Sequence, residues 1–318
     1  MTHWPNHGEA WRQWRDAIGG ERMHHAWLLA GKAGVGKRDF ALAAARELVA
    51  EPGIAQPPGD HPDIIVLTYG PKDDKAEKAM SEGKPFEVAR SIRIRQIRAM
   101  QKRLVTRPTL GSRRAIIIDP ADDMEKAAAN ALLKSLEEPP VGTFFLLVTH
   151  RPARLLPTIR SRCRTLRFPA IPDRQLAAML EQAGLPVDEA AIAAAEGSFG
   201  AALRFAEQDL APLARQIEAL LAGGDSDFAR RGELARLIGA RADRERVQAV
   251  LDLAQALVAR AARSSEDPAA RAGLVETHAD LVRLAAEFPT ANFDPGMLPF
   301  EIGSLLVAAA PASETAHG

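Results

Sequence analysis

Residues 31–38 read GKAGVGKR and lie between a short apolar run, 26–30, and a stretch with apolar residues at helical spacing. The local order is therefore strand, glycine loop and helix. In that context the pattern G-x-x-x-x-G-K surrounds a phosphate with backbone N–H groups and a helix N-terminus, and it directs a lysine toward the phosphate. An α/β fold with a phosphate-binding loop is predicted. The candidate residues of the loop are Gly31, Gly34, Gly36 and Lys37.

Three further apolar runs, rich in Ile, Val and Phe, predict strands that are covered on both faces. They are DIIVLTY (63–69), RAIIID (114–119) and TFFLLVT (143–149). Helical stretches separate them, and this alternation predicts a mainly parallel sheet flanked by helices over residues 1–168. The segment 70–85 is charged and has few apolar residues, so it predicts an exposed loop.

Beyond residue 168 the composition changes to Ala, Leu, Arg and Glu with helical periodicity. A break near 208–212 divides this region. We therefore predict a small helical lid over residues 169–208 and an all-α domain over residues 209–318.

Composition excludes several classes of partner and site. The 41 basic and 41 acidic residues cancel, so any nucleic-acid binding must come from a local patch. The chain has no cationic leader followed by an apolar run and no apolar stretch of membrane-spanning length, which predicts a cytoplasmic protein without membrane contact. The single cysteine, Cys163, excludes a four-cysteine zinc site within one chain. We expect no metal site.

Arg38 departs from a working loop of this kind. The residue after the lysine is ordinarily Ser or Thr, whose hydroxyl binds the magnesium that bridges the phosphates. Arginine cannot replace that hydroxyl, although its guanidinium can pair with a phosphate oxygen. No cofactor is therefore required, while residual binding of ATP or another anion without the usual magnesium site stays open. The alternative interpretation of Arg38 is a solvated helix residue.

The stretch RAIIIDPADDM has the form of the second phosphate-site element, in which an aspartate at a strand end helps to hold magnesium. Asp119 is present, but Pro120 occupies the position of the glutamate that usually orients the attacking water. Asp122 and Asp123 follow, and acidic residues at a helix start are more commonly caps. Two independent parts of the hydrolytic machinery are missing, which favours a fold that is kept without the reaction.

Three blocks together resemble the delta-prime family of bacterial DNA polymerase III clamp-loader subunits: HHAWLLAGKAGVGKR (24–38), AAANALLKSLEEPP (127–140) and TFFLLVTHRPARLLPTIRSRC (143–163). The resemblance implies a P-loop AAA+ module over 1–168, a lid, and a helical collar over 209–318 for oligomerisation. It also implies gamma or tau and delta subunits as partners, and a role in loading the sliding clamp onto primer-template DNA. Contact with the clamp itself would be indirect or weak.

The main alternative within the same superfamily is an ATP-hydrolysing gamma- or tau-like subunit, and Arg38 and Pro120 argue against it. A free-standing P-loop enzyme and a purely structural adaptor are alternatives from other classes. Many relatives hold zinc on four cysteines before the strand that begins at HPD, but residues 51–63 contain none, so zinc is not carried over.

The resemblance also suggests roles for single residues. Arg162, in the element Ser-Arg-Cys, resembles the arginine that clamp-loader subunits extend into a neighbour's ATP site, and Thr149 matches the sensor position. Between residues 90 and 107 seven basic residues occur without an acidic one, on a predicted amphipathic helix. This basic face is either solvated or follows the phosphates of DNA. The DNA-contact candidates on it are Arg93, Arg95, Arg98, Lys102 and Arg103.

Overall fold

The computed structural model describes residues 4–20, 23–187, 189–239, 242–288 and 297–310. The chain forms two compact units, Met1–Ala170 and Ile171–Gly318. The predicted division of the second region into a lid (169–208) and a collar (209–318) stays a prediction, and the collar's residues 240–241, 289–296 and 311–318 lie outside the described residues.

The first unit is built on a five-stranded sheet in the order β2-β3-β4-β1-β5. Every pair of neighbouring strands is parallel, so the predicted parallel α/β fold is confirmed. The strands are β1 Ala26–Ala30, β2 Ile64–Leu67, β3 Arg114–Ile118, β4 Thr143–Thr149 and β5 Arg164–Arg167.

Helices cover both faces of this sheet. Successive residues of a strand point to opposite faces, so Trp27 joins one apolar cluster and Leu28 the other. Ile116 and Ile117 of β3 divide between the same two clusters, and this explains why the strands are continuously apolar. The helices are α1 Gly8–Ile18, α2 Lys37–Val49, α3 Asp74–Ser81, α4 Ile94–Leu104, α5 Lys126–Glu137 and α6 Pro157–Arg160.

The prediction of an exposed loop at 70–85 is wrong in part, because α3 occupies the centre of this segment. The Asp73 carboxylate accepts a hydrogen bond from the backbone N–H of Ala76 at 2.8 Å and so caps the helix. Ala76 is buried, and Glu77 forms an ion pair with Arg95 of α4 at 2.7 Å. Charge alone suggested a loop, whereas one capping carboxylate and one buried alanine are enough for two helical turns here.

The second unit is helical, and no strand occurs in the part of it that the structure describes. A single apolar cluster contains Ala191 and Phe205 together with Leu213, Leu257 and Leu306. No helix among the described residues is long and apolar enough to cross a bilayer. The helices are α7 Asp173–Gln182, α8 Glu189–Ala195, α9 Phe199–Glu207, α10 Ala211–Gly223, α11 Ala229–Ile238, α12 Arg244–Ser264, α13 Pro268–Glu287 and α14 Leu298–Ala308.

Candidate functional site

The predicted phosphate site lies at the carboxyl edge of the sheet, where β1, β4 and β3 are neighbours. The glycine loop follows β1, Thr149 ends β4, and Asp119 follows β3. The carboxyl ends of parallel strands meet at one edge, and ligands of open α/β sheets bind at that edge. The three sequence elements of the candidate site therefore lie at one edge of the sheet.

Two glycines of the loop are required by contacts inside the chain. A Cβ at Gly31 would lie 2.3 Å from the carbonyl oxygen of Phe168, which is a backbone atom. Gly36 has φ +83°, and a Cβ there would lie 2.2 Å from the indole ring of Trp4. Gly34 also has a positive φ, of 74°. Packing by itself therefore accounts for glycine at positions 31 and 36, without a ligand.

Lys37 begins α2 and is buried, with only 3% of its surface exposed. Its ammonium group donates to the carbonyl oxygen of Gly31 at 2.7 Å and also to that of Lys32. Burial lowers the pKa of Lys37 to about 8, although the charges of Asp119 and Asp122 oppose that shift. The lysine therefore turns back onto its own loop.

Arg38 pairs with Asp119, the carboxylate that was predicted to help hold magnesium. The guanidinium Nη1 lies 3.5 Å from the Asp119 Oδ2, and Asp119 is buried while Arg38 is exposed. Burial raises the pKa of Asp119, and the positive charge of Arg38 is the largest influence in the opposite direction. Arg38 thus supplies the counter-charge that a metal ion would supply in a working site.

Neither aspartate that follows Pro120 caps α5. They lie in a short 3₁₀ turn, Ala121–Asp123. The Asp122 carboxylate accepts hydrogen bonds from the backbone N–H groups of His150 and Arg151, at 3.1 and 3.0 Å. The Tyr69 hydroxyl donates to Asp123 at 2.5 Å. The interpretation of this pair as helix caps is therefore wrong. Asp122 fixes the loop after β4, and Asp123 connects the 3₁₀ turn to the segment after β2.

Thr149 and His150 carry buried polar atoms at the same edge. Thr149 is fully buried, and no hydrogen-bond partner for its Oγ1 or for the His150 Nδ1 exists in the part of the chain that the structure describes. Burial is the main cause that lowers the pKa of His150, which favours a neutral imidazole. Thr149 occupies the predicted strand-end position, and its sensor role stays a prediction.

Magnesium does not fit these residues. The hydroxyl ligand is absent at position 38, and Asp119 is already paired with the Arg38 guanidinium. Among the described residues, no group of three or more His, Cys, Asp or Glu side chains is placed to hold a metal ion. The loop keeps the backbone pattern of a phosphate-binding site, while Lys37 and Asp119 are both paired inside the chain.

The segment before α1 covers the glycine loop, a contact that the sequence did not suggest. The Trp4 Nε1 donates to the Asp39 carboxylate at 2.9 Å. The Asn6 side chain donates to the carbonyl oxygen of Pro169 at 2.8 Å, and a His7 ring nitrogen lies 2.9 Å from the carbonyl oxygen of Val35. These contacts join residues far apart in sequence, and no local pattern could have indicated them.

Arg162 lies at the opposite edge of the sheet. It lies two residues before β5, which runs parallel to β1 with Trp27 beside Arg164. The residues before a strand lie at the amino edge, and a five-residue strand spans about 16 Å. Its guanidinium donates to the carbonyl oxygen of Thr158 at 2.8 Å and pairs with Glu137 at 2.7 Å. The sequence pointed to Arg162 but not to Glu137, the last residue of α5.

The predicted basic helix is confirmed as α4, but its candidate DNA contacts differ in their surroundings. The Arg93 Nε lies 3.8 Å from Glu125, and Arg95 pairs with Glu77 at 2.7 Å. Arg103 is exposed but donates to the carbonyl oxygen of Pro62 at 3.1 Å. Arg98 and Lys102 are exposed one helical turn apart, and within the described residues neither forms an ion pair.

Residues 6–172 match the family model of the DNA polymerase III delta subunit. Over 167 residues the chain is 39% identical to the DNA polymerase III subunit delta-prime of Pseudomonas aeruginosa, covering 47% of this chain and 46% of that protein. Identity with the delta-prime subunit of Escherichia coli is 33% over 197 residues, or 59% and 56% of the two chains. The chain therefore spans about half the length of these delta-prime relatives.

Similarity also extends to the tau/gamma subunit of the same polymerase. Identity with that subunit from Haemophilus influenzae is 31% over 205 residues, which are 62% of this chain and 29% of that protein. Both kinds of relative therefore match much of this chain's length. Residues of the candidate site are needed to distinguish a delta-prime subunit from a tau/gamma subunit.

Proposed function

The chain belongs to the DNA polymerase III delta-prime family of AAA+ clamp-loader proteins, and we propose that it is a subunit that does not hydrolyse ATP. Arg38 and Pro120 stand where a hydrolysing site has a hydroxyl and a carboxylate. The ion pair between Arg38 and Asp119 supports this assignment over a gamma- or tau-like one. In this role the subunit helps to load the sliding clamp onto primed DNA.

The observation that carries the proposal is the separation of Arg162 from the chain's own glycine loop. Arg162 precedes β5, the glycine loop follows β1, and the two strands are parallel neighbours. An arginine at the amino edge lies too far away to serve the phosphate loop at the carboxyl edge of the same subunit. Its proposed role is therefore in trans, where it completes the ATP site of an adjacent gamma or tau subunit.

Reconstitution with gamma or tau and delta subunits tests this role. In the GTPase cases an arginine supplied in trans accelerates hydrolysis by roughly 10³ to 10⁵. Arg162→Ala should therefore silence one neighbouring site and lower the DNA- and clamp-stimulated ATPase by the share of that site. Arg162→Lys should not rescue it, because the bidentate fork is lost. Arg160→Ala, at an exposed position of α6, is the control.

Equal ATPase and clamp-loading rates for Arg162→Ala and the wild type, in a complex of unchanged composition, would reduce the chain to a structural adaptor. Loss of the subunit from the complex would mean instead that Arg162 serves assembly.

The proposed assembly surface lies in the collar, residues 209–318. Val275 and Val282 of α13 are exposed, seven residues apart and thus on one face of the helix. Exposed apolar side chains on one helix face favour contact with another subunit. Val275→Glu with Val282→Glu should prevent entry into the complex without unfolding the chain. Glu276→Gln, on the same helix, should assemble normally. Full assembly of the valine double variant would place the interface elsewhere.

The proposed DNA contacts are Arg98 and Lys102 of α4, because both are exposed and neither is held by a carboxylate among the described residues. Each phosphate contact that is lost should weaken binding of the assembled complex to primer-template DNA. It should also reduce the slope of log K against log salt concentration by about one. Arg95→Ala should have a smaller effect, since Arg95 is paired with Glu77. Fluorescence anisotropy at several salt concentrations measures the difference, and equal slopes for all variants would leave α4 a solvated face.

The chain is also proposed to need no bound nucleotide. Lys37 is already hydrogen-bonded to Gly31 and Lys32, and Asp119 is paired with Arg38. Any remaining binding of ATP or another anion should be weak and independent of magnesium. Calorimetric titration of the purified chain with ATP, with and without magnesium, measures both properties. Tight binding that required magnesium would contradict this part of the proposal.

A further inference from the structure

The Arg162 side chain is held at two nitrogen atoms by its own subunit. Nη1 donates to the carbonyl oxygen of Thr158 at 2.8 Å and lies 3.4 Å from the Ser161 hydroxyl. Nη2 lies 2.7 Å from the Glu137 carboxylate. Thr158 is four residues before Arg162, so the side chain turns back along the chain instead of extending outward.

Glu137 reaches this position because α5 ends at the same edge of the sheet. Residue 137 closes α5, and β4 begins six residues later at Thr143. Strand β4 is parallel to β1, as is β5, so the residues before β4 and before β5 lie at the amino edge together. The imidazole of His25, just before β1, contacts the carbonyl oxygen of Leu136 at 2.8 Å and fixes the end of α5 there.

The Glu137 carboxylate opposes the action of Arg162 on a phosphate. The negative charge of Glu137 cancels much of the local positive charge of the guanidinium, and it would repel phosphate oxygens brought to the same group. An approaching triphosphate therefore competes with Glu137 for the guanidinium.

We propose that Glu137 is a positioning residue that keeps Arg162 docked on its own subunit until a neighbour's ATP site displaces it. This inference rests on the proposed action of Arg162 in trans. Both side chains are partly exposed, at 34% for Arg162 and 49% for Glu137, so the ion pair is of the weak surface class. Its removal should shift the balance between docked and extended arginine about two- to fivefold.

The first test uses the isolated full-length chain labelled with ¹⁵N-arginine. A docked guanidinium rotates slowly and gives separate Nη resonances, whereas an extended one gives an averaged signal. Arg162→Lys identifies the signal by its disappearance. Glu137→Gln should bring the two Arg162 Nη resonances closer together, and Glu138→Gln, the same change at the next exposed residue, should leave them unchanged. An unchanged signal in Glu137→Gln would overturn the proposal, whatever Arg162 does in a complex.

The second test uses the reconstituted complex. Glu137→Gln should raise the DNA-stimulated ATPase about two- to fivefold at the site served by Arg162, and Glu138→Gln should not. In an Arg162→Ala background, Glu137→Gln should have no effect, because Glu137 acts only through Arg162. A lower or unchanged rate in Glu137→Gln, or a change that persists without Arg162, would overturn the proposal. If Arg162→Ala itself changes nothing, the proposed trans role fails, and the resonance test still decides whether Glu137 docks the arginine.

Discussion

At the carboxyl edge of the sheet, Lys37 and Asp119 are buried and are satisfied by groups of the same chain. At the amino edge, Arg162 is a partly exposed side chain held by a surface carboxylate. The Lys37 ammonium group lies among backbone carbonyls, and the neighbouring Gly36 packs against the Trp4 indole. The two edges therefore present opposite conditions to a phosphate group: one is already occupied from within, and the other can be reached from outside.

This difference explains why the glycine-loop motif by itself does not establish ATP hydrolysis. Gly31 and Gly36 are each required by a neighbour inside the chain, the Phe168 carbonyl and the Trp4 indole. Selection for packing alone would keep both glycines even in a chain that hydrolyses no ATP. Arg162 lies at the other edge of the sheet, and its proposed action on a phosphate is therefore in another subunit.

The largest expected effect is on stability at the carboxyl edge. Gly36→Ala should lower the free energy of unfolding by about 2–4 kcal/mol, because alanine is strained at φ +83° and its Cβ would overlap the Trp4 ring. Gly53→Ala is a matched control, since Gly53 has φ +80° but no atom within 4 Å of the added Cβ. Urea titrations give the free energy of unfolding of both variants, and the difference between their losses is the contribution of the packing contact.

Adding Trp4→Ala to each glycine variant isolates that contact. The pair Trp4 and Gly36 should be coupled, whereas Trp4 and Gly53 should be additive. Equal losses for Gly36→Ala and Gly53→Ala would mean that only backbone strain matters, and the explanation of Gly36 by packing would be wrong.

The next effect is a pH dependence that comes from Lys37. Its pKa is about 8 in the folded chain against an ordinary 10.5, so the unfolded chain binds more protons between these values. Stability should therefore rise with pH across that window. Relative to Lys37→Met, the wild type should gain roughly 2 kcal/mol between pH 7.5 and 9.5, measured by urea unfolding. Parallel pH profiles for the two proteins would show that the lysine is not held in a desolvated site.

Many features of the two sheet edges could be predicted from the sequence, because they depend on residues close together in the chain. The glycine loop, the apolar strands and the amphipathic α4 depend on residue spacing, and each is present in the structure. Glu137 and Trp4 could not be identified in the same way. Their contacts with Arg162 and Gly36 depend on strand order and on the path of the chain before α1.

Helix α3, Asp74–Ser81, was missed because contacts distant in sequence stabilise it. Its composition is that of a loop, and its stability depends on the Asp73 cap, the buried Ala76 and the ion pair of Glu77 with Arg95. The last of these joins residues eighteen positions apart, which a local reading of charge does not connect.

A smaller effect is expected at the amino edge. Arg162→Ala removes a partly exposed side chain with one weak ion pair, so the free energy of unfolding should change by no more than about 0.5 kcal/mol. The contrast with Gly36→Ala would place structural importance at the carboxyl edge and show that Arg162 is not needed for the fold. A loss above about 1 kcal/mol would show that the contacts with Glu137 and Thr158 hold the fold, and the two edges would no longer differ in this respect.

The smallest effect is expected for Arg38→Thr, which should leave ATP hydrolysis unchanged. Arg38→Thr removes the ion pair with Asp119 and restores the hydroxyl that a magnesium site requires. ATP hydrolysis by the purified chain should nevertheless stay at background, because Pro120 still occupies the position of the carboxylate that orients the attacking water. Steady-state phosphate release with magnesium and excess ATP measures it, and Arg38→Thr with Lys37→Ala is the control for contaminating ATPase. Turnover in Arg38→Thr that Lys37→Ala abolishes would mean that the carboxyl edge is one substitution away from activity, with Asp122 or Asp123 able to take the missing role.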